Sequence, residues 1–198
     1  VAAILDAGPD QLSLNESLGL VASGCVARQC NVQFPLIELL CEHGADPSSA
    51  LGVAIAHGEM EAVESLLQKG AILDLATAAA LGRVEEFRRL LPKAGSKSRH
   101  KALAMAAQFG NVECLNLLLQ SGEDPNRYNP KGTHSHSTPL HQAAFNGHLS
   151  AVQALIQAGA DPTMKDVLFG GTPLGWAEHG GSSEVAAYLR ALVTQESP

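Results

Sequence analysis

Two stretches of this chain can be laid on each other without a gap. Lys101–Asp124 reads KALAMAAQFGNVECLNLLLQSGED, and Thr138–Asp161 reads TPLHQAAFNGHLSAVQALIQAGAD. The Ala106-Ala107 pair matches Ala143-Ala144, Gly110 matches Gly147, and Gly122 matches Gly159. Asp124 matches Asp161, and the apolar sets between the glycines coincide. The template recurs over Ala50–Ala71 and Thr172–Arg190, degenerates over Leu75–Leu91, and loosens near Leu18, where about seven extra residues separate Ala22 from Leu36. AAILDAGPD at Ala2–Asp10 reads as the tail of a unit whose first half lies upstream. Internal repetition at this period predicts an array of small units that cannot bury their apolar faces alone and must stack.

Each unit has the grammar of two short antiparallel helices. Thr138-Pro139 and Thr172-Pro173 open the first helix, because threonine satisfies free amides and proline at the first helical position forfeits no hydrogen bond. Gly58, Gly82, Gly110, Gly147 and Gly181 close it, and a second apolar run then stops at Gly44, Gly70, Gly122 or Gly159. Helices this short are marginal in isolation, so stacking must supply the stability. The hydrophobic fraction is 45% and the aromatic fraction only 4%, an aliphatic composition suited to close helix packing.

The stretch TPLHQAAFNGHLSAVQALIQAGADP at Thr138–Pro162, with its Thr-Pro-Leu-His opening, Gly-His turn and Gly-Ala-Asp exit, resembles the ankyrin-repeat family. The resemblance covers essentially the whole chain, strongly from Ala50 onward and weakly before it. It implies an all-α repeat solenoid, a stack of helix-turn-helix units joined by β-hairpin fingers. A single domain over 1–198 is expected. Residues 1–10 would be a remnant of a leading repeat and 11–47 a degenerate repeat with an insertion. Repeats are expected at 48–73, 74–95, 96–126 and 127–162, with a C-terminal capping repeat at 163–198. The sequence departs from the pattern at the insertion, at the short approach to Leu75, and in a connection from Asp124 to Thr138 about four residues too long.

The resemblance also implies a concave face made by first helices and fingers. Its variable positions are Met105, Gln108 and Phe109, then Gln142, Phe145 and Asn146, then Trp176 and His179. Val53, His57, Thr77 and Ala80 occupy the same positions in earlier units. Phe109, Phe145 and Trp176 stand out in a chain so poor in rings, and large apolar side chains with no core to fill mark interaction surfaces. The competing reading packs them against neighbouring fingers. The long finger, Asn126–Ser137, adds Arg127, Tyr128, Lys131, His134 and His136. His141 and His148 are expected to be structural, tying turns to adjacent backbone, and His43 and His100 to lie at the surface.

Other chemistry is weakly represented. No nucleophile elbow, phosphate-binding loop or CxxC pair occurs. Cys25, Cys30, Cys41 and Cys114 read as reduced thiols in a cytoplasmic protein, with Cys114 a packing residue. His134 and His136 would stand on one side of an extended segment and could begin a metal site, but zinc needs three or four ligands. A net charge of −7 argues against nucleic-acid binding, and no apolar run is long enough to span a membrane. Arg83, Arg88, Arg89, Lys93, Lys97, Arg99 and Lys101, seven of the 13 cations, gather in one stretch that reads as a solvated loop or a steering patch. The expectation is a monomeric, non-enzymatic, cofactor-free module that binds another protein. The alternatives are a metal- or ligand-binding regulator using the histidine finger, or a structural spacer.

Overall fold

The computed structural model describes residues 8–195. Most of the leading fragment assigned to 1–10 therefore lies outside the described residues. Among those described, the secondary structure is helical, with no β-strand. The chain divides into two compact units, Val1–Leu73 and Asp74–Pro198.

The first unit holds α1 (Gln11–Ser23), α2 (Cys25–Gln29), α3 (Gln33–Glu42), α4 (Pro47–Ala56) and α5 (Met60–Gln68). The insertion anticipated after Ala22 is α2, a five-residue helix with no buried side chain. Helix α1 begins at Gln11, a full two turns ahead of the template's first recognisable residue, because Asp10 caps it through a hydrogen bond from the Ser13 amide. Helix α1 packs on α3 and α4, and α4 and α3 pack on α5. Leu18, Ala22, Ile37, Ala50, Ala54, Val63 and Leu66 form the interior, all fully or nearly fully buried.

The second unit holds α6 (Leu75–Leu81), α7 (Val84–Leu90), α8 (Ser96–Gln108), α9 (Val112–Gln120), α10 (Pro139–Phe145), α11 (Leu149–Gln157), α12 (Pro173–His179) and α13 (Ser183–Gln195). First helices lie side by side in the order α6, α8, α10, α12, and second helices in the order α7, α9, α11, α13. Alanine pairs in the first helices (Ala78-Ala79, Ala106-Ala107, Ala143-Ala144) are buried to the limit. The small side chains let neighbouring helix axes approach. Leu115, Leu118, Val152, Leu155, Val185 and Leu189 on the second helices complete the interior. Each fully buried aliphatic side chain of this kind contributes roughly 1.5–3 kcal/mol.

The turns between paired helices repeat one device. Gly110 has φ +69°, and a β-carbon there would stand 2.6 Å from His148 Nδ1, so both the conformation and the space demand glycine. The residues after Gly110, Gly147 and Gly181 reach back to the preceding first helix. Asn111 Nδ2 donates to the carbonyls of Ala79 and Ala80, His148 Nε2 to Gln108 O, and Ser182 Oγ to Phe145 O. The structural role expected of His148 is thus what the geometry gives. Gly180 presses against the Phe145 carbonyl so closely that a side chain could not be accommodated.

The fingers are turns rather than hairpin ladders. The long finger is two successive turns, closed by the Asn129 amide donating to Ser137 O at 2.8 Å, with Thr133 N bonded to Pro130 O and Ser137 N to His134 O. The next finger is closed by Asp166 N donating to Gly171 O, and the two are joined by Val167 N donating to His136 O, both at 2.8 Å.

Candidate functional site

Helices α10 and α12 and the two fingers bring one set of rings together. Trp176 sits at the centre, half-buried, with its ring centroid 5.3 Å from His141, 5.6 Å from His136 and 6.0 Å from Phe145. The cluster extends from His136 to Phe169 at 6.0 Å and to His134 at 6.2 Å, and from Phe145 to His179 at 6.2 Å. Most pairs are edge-to-face, the arrangement aromatic quadrupoles favour. Phe145, His134 and His179 are exposed, so the cluster reaches solvent instead of closing into the core.

Two buried groups hold this surface in place. His141 is fully buried. Its Nδ1 accepts from the Thr138 amide and hydroxyl, so the proton resides on Nε2, which donates to Gly171 O at 3.1 Å. The imidazole therefore links the start of α10 to the finger that precedes α12, the tie expected of it. Burial holds its pKa below the ordinary 6.5, favouring the neutral ring that this pattern requires.

The second group is Asp166, only 3% exposed. Its Oδ1 accepts from the Leu168 and Phe169 amides at 2.9 and 2.7 Å, and its Oδ2 from the Gly171 amide and Trp176 Nε1 at 2.8 and 3.0 Å. Burial alone would raise the carboxyl pKa, but the donors from Phe169, Trp176, Gly171 and Leu168 outweigh it and hold it down to about 2. One carboxylate thus orients the only tryptophan and fixes the finger tip beside it. The sequence alone did not disclose this role. Nor did it mark out Val167, Leu168 and Phe169, which stand 66%, 66% and 79% exposed. Their signal is three apolar residues in a row between an aspartate and a glycine pair, in a loop with no periodicity to mark it.

The expected surface residues separate into groups. Phe145, Asn146, His134, Arg127, Tyr128 and His179 are exposed, and Trp176, His136, Gln108 and Phe109 are half-buried. Phe109 makes no ring contact with the Trp176 cluster. Tyr128 is anchored by its hydroxyl, which donates to Lys165 O at 2.7 Å.

Met105 and Gln142 do not lie at the surface, being 4% and 3% exposed. Helix α8 is flanked by α6 on one side and α10 on the other, which covers Met105. Gln142 lies under the long finger, with its Nε2 donating to Ser137 Oγ at 3.0 Å. His100 is also corrected: it is buried, and its Nε2 donates to Tyr128 O at 2.9 Å. Helix α8 runs an extra turn at its N-terminus, and that turn carries His100 beneath the long finger.

His134 has φ +57°, so its segment is not extended, and the rings of His134 and His136 meet edge to face. Among the described residues no group of three or more His, Cys, Asp or Glu is placed to hold a metal ion, so the metal reading lacks its third ligand. The cysteines are free, and burial raises the Cys114 thiol to about 11, which makes it inert at neutral pH. No helix among the described residues is long and apolar enough to cross a membrane.

The family model described as "Ankyrin repeats (many copies)" matches residues 103–156 and 140–190. Among curated proteins, the chain is 36% identical over 126 residues to "Cyclin-dependent kinase 4 inhibitor B" of Bos taurus, covering 62% of this chain and 93% of that one. It is 38% identical over 122 residues to "Cyclin-dependent kinase inhibitor 2A" of Homo sapiens, covering 59% of this chain and 75% of that one. With repeat helices stacked in register, finger-binding histidines in place and relatives matched over most of their length, the chain belongs to the ankyrin-repeat family.

Proposed function

We propose that this chain is a non-enzymatic protein-interaction module that binds one partner protein through the ring surface of α10, α12 and the two fingers. The observation that carries this reading is the position of Trp176: a lone tryptophan, pinned by a buried carboxylate, sits within a cluster of rings that opens to solvent. A surface held rigid before binding loses little ordering entropy on association. The partner-contacting residues are Phe145, Asn146, Trp176, His179, Arg127, Tyr128, His134 and His136, with Gln108 and Phe109 at the margin.

Relatives named as cyclin-dependent kinase inhibitors, matched over most of their own length, favour a protein kinase as the partner. Direct binding of the whole chain to purified cyclin-dependent kinase 4 tests this by calorimetry. Phe145→Ala and Trp176→Ala are each expected to weaken binding by about 1–3 kcal/mol while circular dichroism stays unchanged. If the kinase does not bind, the kinase reading fails. If either variant unfolds the chain, the rings are core residues and the surface reading fails with it.

A further inference from the structure

We infer that the two stapled fingers form a cationic, apolar platform for an acidic segment of the partner in which carboxylates alternate with aliphatic or aromatic side chains. This deepens the interaction reading above and rests on it. Exposed apolar residues scattered singly need no explanation, but Val167, Leu168 and Phe169 are consecutive and stand on the tip of a finger. Their presentation is built. Asp166 fixes the backbone of Leu168 and Phe169, and His136 O fixes that of Val167. These bonds hold the backbone of three solvent-facing apolar residues in one conformation.

The charge around the tip selects the partner's sign. Residues 126–137 contain two cations, Arg127 and Lys131, and no acidic residue. Lys165 stands on the neighbouring finger, where Tyr128 bonds its carbonyl. The acid beside it, Asp166, is buried with both oxygens satisfied, so it projects little charge to solvent. Arg127 is paired with Glu123 only at 4.0 Å, while Lys131 and Lys165 are exposed with no ion pair among the described residues. The chain as a whole carries −7, so this edge is one of two basic regions on an acidic molecule, the other being residues 83–101, and only this one has large exposed apolar side chains beside its cations. Complementary charge of this kind sets orientation and association rate as well as affinity.

The test is selection of peptides from a random display library on the whole immobilised chain, followed by affinity measurements on the recovered peptides at low and high salt. The expected sequences place Asp or Glu beside Leu, Ile or Phe. Their affinity should fall about tenfold in a Lys131→Glu, Lys165→Glu variant and again in a Leu168→Ser, Phe169→Ser variant, and should weaken with salt. All four positions are exposed, and circular dichroism checks that each variant folds. Neutral or basic sequences, or indifference to the lysine reversals, overturn the inference. So does a loss confined to reversal of Arg89, Lys93 and Lys97, which would put the acidic site elsewhere, and so does displacement of the peptides by polyuridylate, which would indicate a nucleic-acid surface. The interaction reading is scored separately: partner binding that still depends on Phe145 and Trp176 keeps the ring surface while discarding the acidic platform.

Discussion

Residues 8–73 and 74–195 use the same core and differ in what they show to solvent. Both bury alanine and branched aliphatic side chains, and both tie their segments with amide side chains. In the first unit Gln33 Nε2 donates to the carbonyls of Val21 and Ala22, and Asn15 Oδ1 accepts from the Asp46 amide. In the second, Asn111 bonds Ala79 and Ala80, and Asn126 bonds Gly159 and Asp161. Every aromatic residue except Phe34, however, belongs to the second unit. Exposed apolar residues of the first unit, such as Leu12, Val26, Phe34 and Ile72, come from separate segments and make no ring contacts. Those of the second gather on α10 and the fingers. Phe87 is the one aromatic residue of the second unit that is fully buried, so the helical repeat needs few such rings, and those left at the surface are the ones proposed for recognition.

The largest effects should be equal in the two units. Leu66→Ala in the first and Leu155→Ala in the second, both fully buried, are each expected to cost about 2–5 kcal/mol. Denaturant unfolding measures the loss, with peptide-resolved hydrogen exchange locating it. A cost below about 1 kcal/mol at Leu66 would break the claim of a shared core logic.

The next effects should be confined to the second unit. Asp166→Asn keeps the shape but turns a donor toward amides that need acceptors, and His141→Ala strands Gly171 O and the Thr138 amide. Each is expected to cost about 1–3 kcal/mol. Fluorescence of Trp176, the sole tryptophan, should shift to the red in Asp166→Asn; an unchanged spectrum would mean that the carboxylate does not orient the indole.

Acid should act on the second unit as well. Burial holds His100 and His141 below 6.5, so the unfolded chain takes up protons that the folded chain resists. Their contribution is present above pH 6.5 and is lost as pH falls through 6.5 toward the lowered folded values. In the first unit His43 and His57 are exposed. Exchange protection around α8 and α10 should therefore decline between pH 7.5 and 5.5 more than protection around α1 and α4. Equal decline in both would refute the assignment.

The smallest effects should fall on the exposed rings. Phe34→Ser and Phe169→Ser are each expected to change stability by no more than about 0.5 kcal/mol. Only Phe169→Ser should alter partner binding, as titration against the same partner would show.

Much of the fold could be read directly from the residues. Helix pairs and turn glycines follow from the repeat, because the stack presents the same geometric demands at each step, and the ties made by His141 and His148 were implied by the resemblance to the ankyrin-repeat family. The proposed surface was only partly legible. The resemblance placed Phe145, Trp176 and His179 on outward positions of the first helices, and the structure leaves Phe145 and His179 exposed and Trp176 half-buried. Met105 and Gln142 share that placement but are covered by neighbours, which a single unit cannot reveal. His100 was misplaced because the longer α8 breaks the template, and the finger tip was missed because loops carry no periodicity.

Asn111, His148 and Ser182 are an amide, an imidazole and a hydroxyl, yet each reaches back across one step of the stack to a main-chain oxygen. They are chemical synonyms. What the step requires is a short donor at a set height, and several letters of the alphabet can spell it. Such a joint leaves substitution at the turns cheap, so an array of this kind can drift in spelling while its spacing, and with it the pitch at which surface rings are displayed, stays constant.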